Sequence, residues 1–156
     1  MVDADPPTVS LDEIVAFENA TRDLVGLALR SVEDLDMSLP QVRLLLVLDD
    51  LGPSPSTRCA DALGVVGSTV TRLADRLVDT GHLTRAADHD NRSVVVLRLT
   101  EAGRDVVRSV TDRRRRELRR ALDTLDPDLR AACAAALRAL HDPLVRDESA
   151  RRHLPL

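Results

Sequence analysis

The feature that most constrains this chain is a change of hydrophobic period in its middle. From Ser56 onward, Cys59, Ala60 and Leu63 mark a short helical face that Gly64 closes. Val65-Val66-Gly67-Ser68 is a tight connection, and Gly67 or Ser68 is the expected cap of the next helix. In that helix Val70, Leu73, Ala74 and Leu77 recur at i, i+3, i+4 and i+7, one buried face, and Gly81 ends it. The pattern then switches to strand type. Leu83-Thr84-Arg85 and the run Val94 to Leu99 are β-rich, and the polar stretch from Ala86 to Ser93 between them forms a hairpin tip. A short helix, a glycine turn, a second helix and a hairpin leave few ways to build a core.

The flanks read as longer amphipathic helices. Ser10-Leu11-Asp12-Glu13 is a capping box that opens a helix with Ile14, Phe17, Leu24, Val25, Ala28 and Val32 on its stripe. Ser38-Leu39-Pro40 starts a second, carrying Val42, Leu45, Leu46, Leu48 and Leu51 to the stop at Gly52-Pro53. Ser54-Pro55-Ser56 is the expected opening of the third. After the hairpin, Thr100 to Gly103 begins a long helix with Val106, Val110, Leu118 and Leu122 inward. Asp126-Pro127 starts a last one with Leu129, Cys133, Ala136, Leu137 and Leu140 on one stripe. The predicted order is α-α-α-α-β-β-α-α. The fold class is mainly α with a small β-hairpin wing, a winged helix-turn-helix between N- and C-terminal helices.

Composition narrows the function. No apolar run approaches the roughly 18–20 residues that span a bilayer. The first ten residues lack a signal peptide's basic start and apolar core, so the expected location is cytoplasmic. Every basic side chain is Arg, and Phe17 is the only aromatic, which removes base stacking as a binding mode. Net charge is −4, but it is segregated: Ser56 to Arg116 holds twelve Arg against eight acids, and the remainder ten against eighteen. Cys59 and Cys133 read as small buried hydrophobes. His82, His89, His141 and His153 have no metal-ligand spacing, so no metal or cofactor is expected. No nucleophile–base arrangement or phosphate-cradling glycine loop points to an enzyme. The run Arg113 to Arg116 points all round a helix beside Asp112 and Glu117, and reads as solvated or bridging two copies.

The basic segment coincides with the helix-turn-helix, which points to DNA. The major groove admits one helix, and the second helix of the pair presents Ser68, Thr69, Thr71, Arg72, Asp75 and Arg76 opposite its apolar face. Ser and Thr at its start can donate to phosphate or base edges. Arg72 can fork onto a guanine, while Arg76 and Arg85 suit the backbone. Arg92 at the hairpin tip suits the minor groove, and Asp90 supports that wing.

These residues carry a family resemblance. Leu39 through Gly103 resembles the MarR family of bacterial transcriptional regulators. The motifs are Leu51-Gly52-Pro53, Ala60 to Val65, Ser68 to Leu77, Gly81 to Arg85, Asp90-Asn91-Arg92 and Leu99 to Gly103. The stretch from Asp90 to Thr100 is one residue longer than the family pattern, which implies a bulge or a longer wing strand. The resemblance implies a homodimer in which residues 1–37 and 104–156 interlock and residues 38–103 bind a pseudo-palindromic operator. It further implies repression relieved by a small organic acid where the winged part meets the long helices, with Arg22 and Arg43 as candidate anchors. The competing reading is a winged-helix module that binds protein rather than DNA, which the acidic total favours.

Overall fold

A computed structural model describes residues 8–87 and 94–146, with side chains described as far as His141. The elements are α1 (Leu11–Arg30), α2 (Leu39–Leu51), α3 (Ser56–Leu63), α4 (Gly67–Asp79), β1 (Leu83–Ala87), β2 (Val95–Leu99), α5 (Glu101–Leu122) and α6 (Pro127–Arg146). The predicted order and fold class are those observed.

The helix starts follow local chemistry. At α1, Ser10 Oγ accepts from the Glu13 amide at 3.2 Å and the Glu13 carboxylate accepts the Ser10 amide at 2.8 Å, the reciprocal pair of a capping box. Gln41 does the same for Ser38 at α2, its Oε1 accepting the Ser38 amide at 2.8 Å. Two other starts differ from expectation. Ser54 does not open α3. It is fully buried and forms a two-way bridge with Leu97, at 3.1 and 2.9 Å, adding a third short edge to the hairpin. Pro55 is the extended residue before Ser56. Nor is Gly67 or Ser68 the cap of α4. Val66 is extended, its carbonyl accepts the Thr69 amide at 2.9 Å, and the first turn therefore closes around Gly67 and Ser68.

The core forms around α2, with α3 and α4 packed against it along with α5 and β2. Leu44, Leu45 and Val47 are completely buried, and Val70, Ala74 and Leu77 of α4 meet them with no exposure. Full burial of each large apolar side chain is worth about 1.5–3 kcal/mol, so the face of α4 is fixed by several such contacts at once. The antiparallel ladder runs without a break from Leu83↔Leu99 to Ala87↔Val95, so no bulge lies within it. In α5 the deeply buried pair is Val107 and Val110, while Val106 is only half-buried.

The outer helices are the other departure. Phe17 is 52% exposed and Leu137 49% exposed, and none of the described side chains of α6 is buried. Cys133 shares this fate and is exposed, unlike Cys59. Helical period says that these stripes bury themselves, but the single chain covers only the end of α1, at Leu27 and Ala28, and leaves most of the rest exposed. Burial pushes the Cys59 thiol up to about 11, against the opposing charge of Arg58. At pH 8 it therefore stays a thiol rather than a nucleophilic thiolate. Alkylation followed by mass mapping should modify Cys59 only in denaturant; modification of Cys59 in the native chain would mean that α3 opens.

No helix among the described residues is long and apolar enough to cross a membrane.

Candidate nucleic-acid interface

The polar face of α4 is set by what the helix buries. With Val70, Ala74 and Leu77 inward, Ser68, Thr71, Arg72, Asp75 and Arg76 are exposed and Thr69 is half-buried. A glycine closes each end of this unit. Gly64 is left-handed (φ 66°), turning the chain from α3 toward α4, and Gly81 (φ 78°) turns it from α4 into β1.

The predicted residues fall into distinct settings. Among the described residues, Arg72 and Arg76 have no hydrogen-bond or ion-pair partner, although Arg76 lies only four residues on from Arg72. Ser68 stands open beside the helix start. The Thr71 hydroxyl already donates to the Gly67 carbonyl at 3.1 Å, so its proton is committed to the helix while its oxygen can still accept. Arg85 is not free: its guanidinium meets the Asp75 carboxylate at 2.5 Å, from β1 to α4. Both partners are largely exposed, so this pair contributes little to stability, and its effect is to orient Arg85 and to offset one negative charge on the reading face. Asp90 and Arg92 lie outside the described residues.

Sequence reasoning missed the neighbour of this face. The first turn of α2 flanks α4, and Ser38 and Pro40 line one cleft with Thr69, Arg72, Leu73 and Arg76. The Ser38–Gln41 pairing signals a helix start, but no sequence signal places that start beside α4. The two candidate effector anchors are not brought together. Arg22 lines a surface hollow on α1 with Val9, Ile14 and Phe17, whereas Arg43 donates to the Leu63 carbonyl at the end of α3 at 3.4 Å. The Arg113–Arg116 run is used in part within the chain, since Arg113 pairs with Asp34 in the link before α2.

Comparison with known proteins bears on this arrangement. The sequence model of the MarR family matches residues 37–95. The HTH-type transcriptional regulator YfiV of Bacillus subtilis is 32% identical over 106 residues, 68% of this chain and 66% of YfiV. The chain thus spans just under two thirds of that relative's length, and 61% and 49% of two further B. subtilis regulators. The crystal structure of RV1404 from Mycobacterium tuberculosis superposes with a TM-score of 0.78 at 34% identity, covering 89% of this chain and 97% of that one. A MarR family protein from Bacillus stearothermophilus gives the same TM-score at 22% identity, with 89% and 100% covered, a likeness of fold. Sequence motif, fold and relatives agree, and the chain belongs to the MarR family.

Proposed function

We propose that this protein is a dimeric, sequence-specific DNA-binding repressor, with α4 reading the major groove and the wing meeting the minor groove. The observation that carries the reading is the pair of guanidinium groups, Arg72 and Arg76, that have no partner among the described residues and stand on a helix whose opposite face is locked in the core. A cation on a rigid scaffold can meet a base edge or phosphate without first breaking an internal contact. Ser68, Thr69 and Thr71 supply polar groups around it, Arg85 and Arg76 reach the backbone, and Arg92 enters the minor groove with Asp90 supporting the wing.

In this reading residues 1–37 and 104–156 dimerise, and residues 38–103 form the DNA-binding unit. A two-fold dimer calls for a pseudo-palindromic operator with half-sites about one helical turn apart. The effector is a small organic acid seated where the winged unit meets the long helices. A cleft of about 180 Å³ between α2 and α5 lies at that junction, lined by both signs of charge: Asp49 and Asp112 beside Arg104, Arg108 and Arg115, with Arg104 and Arg108 already paired to Glu101 and Arg108 also to Asp105. Its occupant would act by changing the spacing of the two α4 helices.

The test is selection of bound genomic fragments by the purified protein, followed by affinity measurement on the recovered operator. Affinity is expected to fall with salt at a log–log slope of about −4 to −8, for about 5–9 phosphates. Arg72→Ala is expected to cost about 1–3 kcal/mol on the operator and little on random sequence. Arg92→Ala should weaken both alike. A flat salt profile with no inverted repeat among the fragments would favour the protein-interaction module instead.

A further inference from the structure

The polar face of α4 is not symmetric, and the asymmetry has a meaning for how it docks. A helix with its side chains is about 10–12 Å across and the major groove about 12 Å wide, so a docked helix touches both sugar-phosphate walls as well as the groove floor. On the wing side, the flank of α4 carries Asp75, already engaged by Arg85. On the α2 side, Thr69, Arg72, Leu73 and Arg76 share one stripe at i, i+3, i+4 and i+7. That stripe and the first turn of α2 enclose a cleft of about 280 Å³, with Ser38 and Pro40 as its far wall. No carboxylate among the described residues lines it, in a chain whose net charge is −4. Two arginines with no partner among the described residues face a wall made of a hydroxyl and a proline ring.

We propose that this cleft seats a DNA phosphate, so that the Ser38–Pro40 start of α2 is part of the DNA interface and Arg76 clamps one groove wall against it. The inference rests on the major-groove reading above and adds the residues that bound the groove on one side. Charge complementarity selects the occupant: a cleft whose charged lining among the described residues is two arginines, with hydroxyls beside them, suits the one anion that every DNA sequence presents there. Arg76 and Thr69 then position the helix, which leaves Arg72, between them on the stripe, to reach the floor.

Ser38→Asp tests this without threatening the fold. Asp is as good an N-cap as Ser, and a negative charge at a helix start is favourable, so α2 keeps its beginning. The same change sets a carboxylate against the phosphate. Ser38→Asn keeps the cap and stays neutral. The probe is a random-sequence duplex of about three helical turns, titrated between about 50 and 200 mM salt, because backbone contacts dominate non-specific binding. Ser38→Asp is expected to weaken binding by about tenfold and to lower the salt slope by about one, and the neutral Ser38→Asn to weaken it severalfold less with the slope unchanged. Arg76→Ala is also expected to lower the slope by about one, and in that background Ser38→Asp should lose most of its further effect. Parental affinity and slope in Ser38→Asp, with the parent binding the duplex, would overturn the cleft assignment and leave the DNA reading standing. If the parent binds no duplex at all, both fall together.

Discussion

Leu137→Asp is expected to split the proposed dimer and to weaken operator binding by at least a hundredfold. On a single chain Leu137 is half exposed, and no described side chain of α6 is buried, so an aspartate there meets water and costs the monomer almost nothing. Packed against a second copy, the same carboxylate would sit unpaired in an apolar contact. Leaving a charge buried without a partner costs about 3–5 kcal/mol, and two-fold symmetry places the substitution twice in one interface. Each 1.4 kcal/mol is about tenfold in affinity, so a subunit dissociation constant raised by well over a hundredfold follows. Sedimentation should show monomers at micromolar concentration with helical circular dichroism unchanged. A single winged unit would keep its own half-site contacts while the coupling between half-sites disappears. A Leu137→Asp protein that still sediments as the parental dimer would show that α6 does not cover its stripe with a second copy.

The same exposed stripes show where sequence reading stops. Period marks apolar faces on α1 and α6, and Cys59 and Cys133 both fall on such faces, yet Cys59 is buried and Cys133 is not. Hydrophobic spacing reports that a face needs covering, and it carries no information on whether the cover comes from the same chain. The recognition helix was legible for the opposite reason: the partners of Val70, Ala74 and Leu77 lie in α2 and α3, within the same compact unit. Contacts between residues distant in sequence were not legible at all. Nothing in the order of residues joins Asp75 to Arg85, sets Ser38 beside Arg76, or pairs Ser54 with Leu97. The α4 start was misread because Ser68 is a good cap by type, while the turn closes on the Val66 carbonyl, a matter of backbone angle that the side chains do not announce.

Gly103 is a further case, legible as part of a motif and explained only by the packing, and it carries the second large expectation. Gly103→Val should destabilise the fold by about 3 kcal/mol or more, with Gly103→Ala intermediate at about 1–2 kcal/mol. A Cβ at this position would lie 2.3 Å from the His82 carbonyl oxygen and 3.2 Å from the Leu99 side chain. The first of these is backbone and cannot swing aside. It is held in a knot that joins the end of the recognition helix to the start of α5: the His82 carbonyl accepts the Thr100 amide at 3.1 Å, and the Gly81 carbonyl accepts the Thr100 hydroxyl at 2.7 Å. The same hydroxyl oxygen caps α5 by accepting the Gly103 amide at 3.1 Å. Ala would gain about 1 kcal/mol of helix propensity over Gly, which offsets part of the strain; Val gains much less and adds two methyl groups to the clash. The relief available is to slide α5 away from the turn, and each hydrogen bond lost in doing so costs about 0.5–1.5 kcal/mol. Because that turn fixes the far end of α4, the displacement should also misaim Arg72 and Arg76. Thermal unfolding and operator affinity measured on the same samples separate the two effects: the Ala variant, still folded at assay temperature, should lose more operator affinity than its unfolded fraction explains. Parental melting of Gly103→Val would mean that α5 does not approach His82 closely, and that the winged unit and the long helix are less firmly joined than this knot requires.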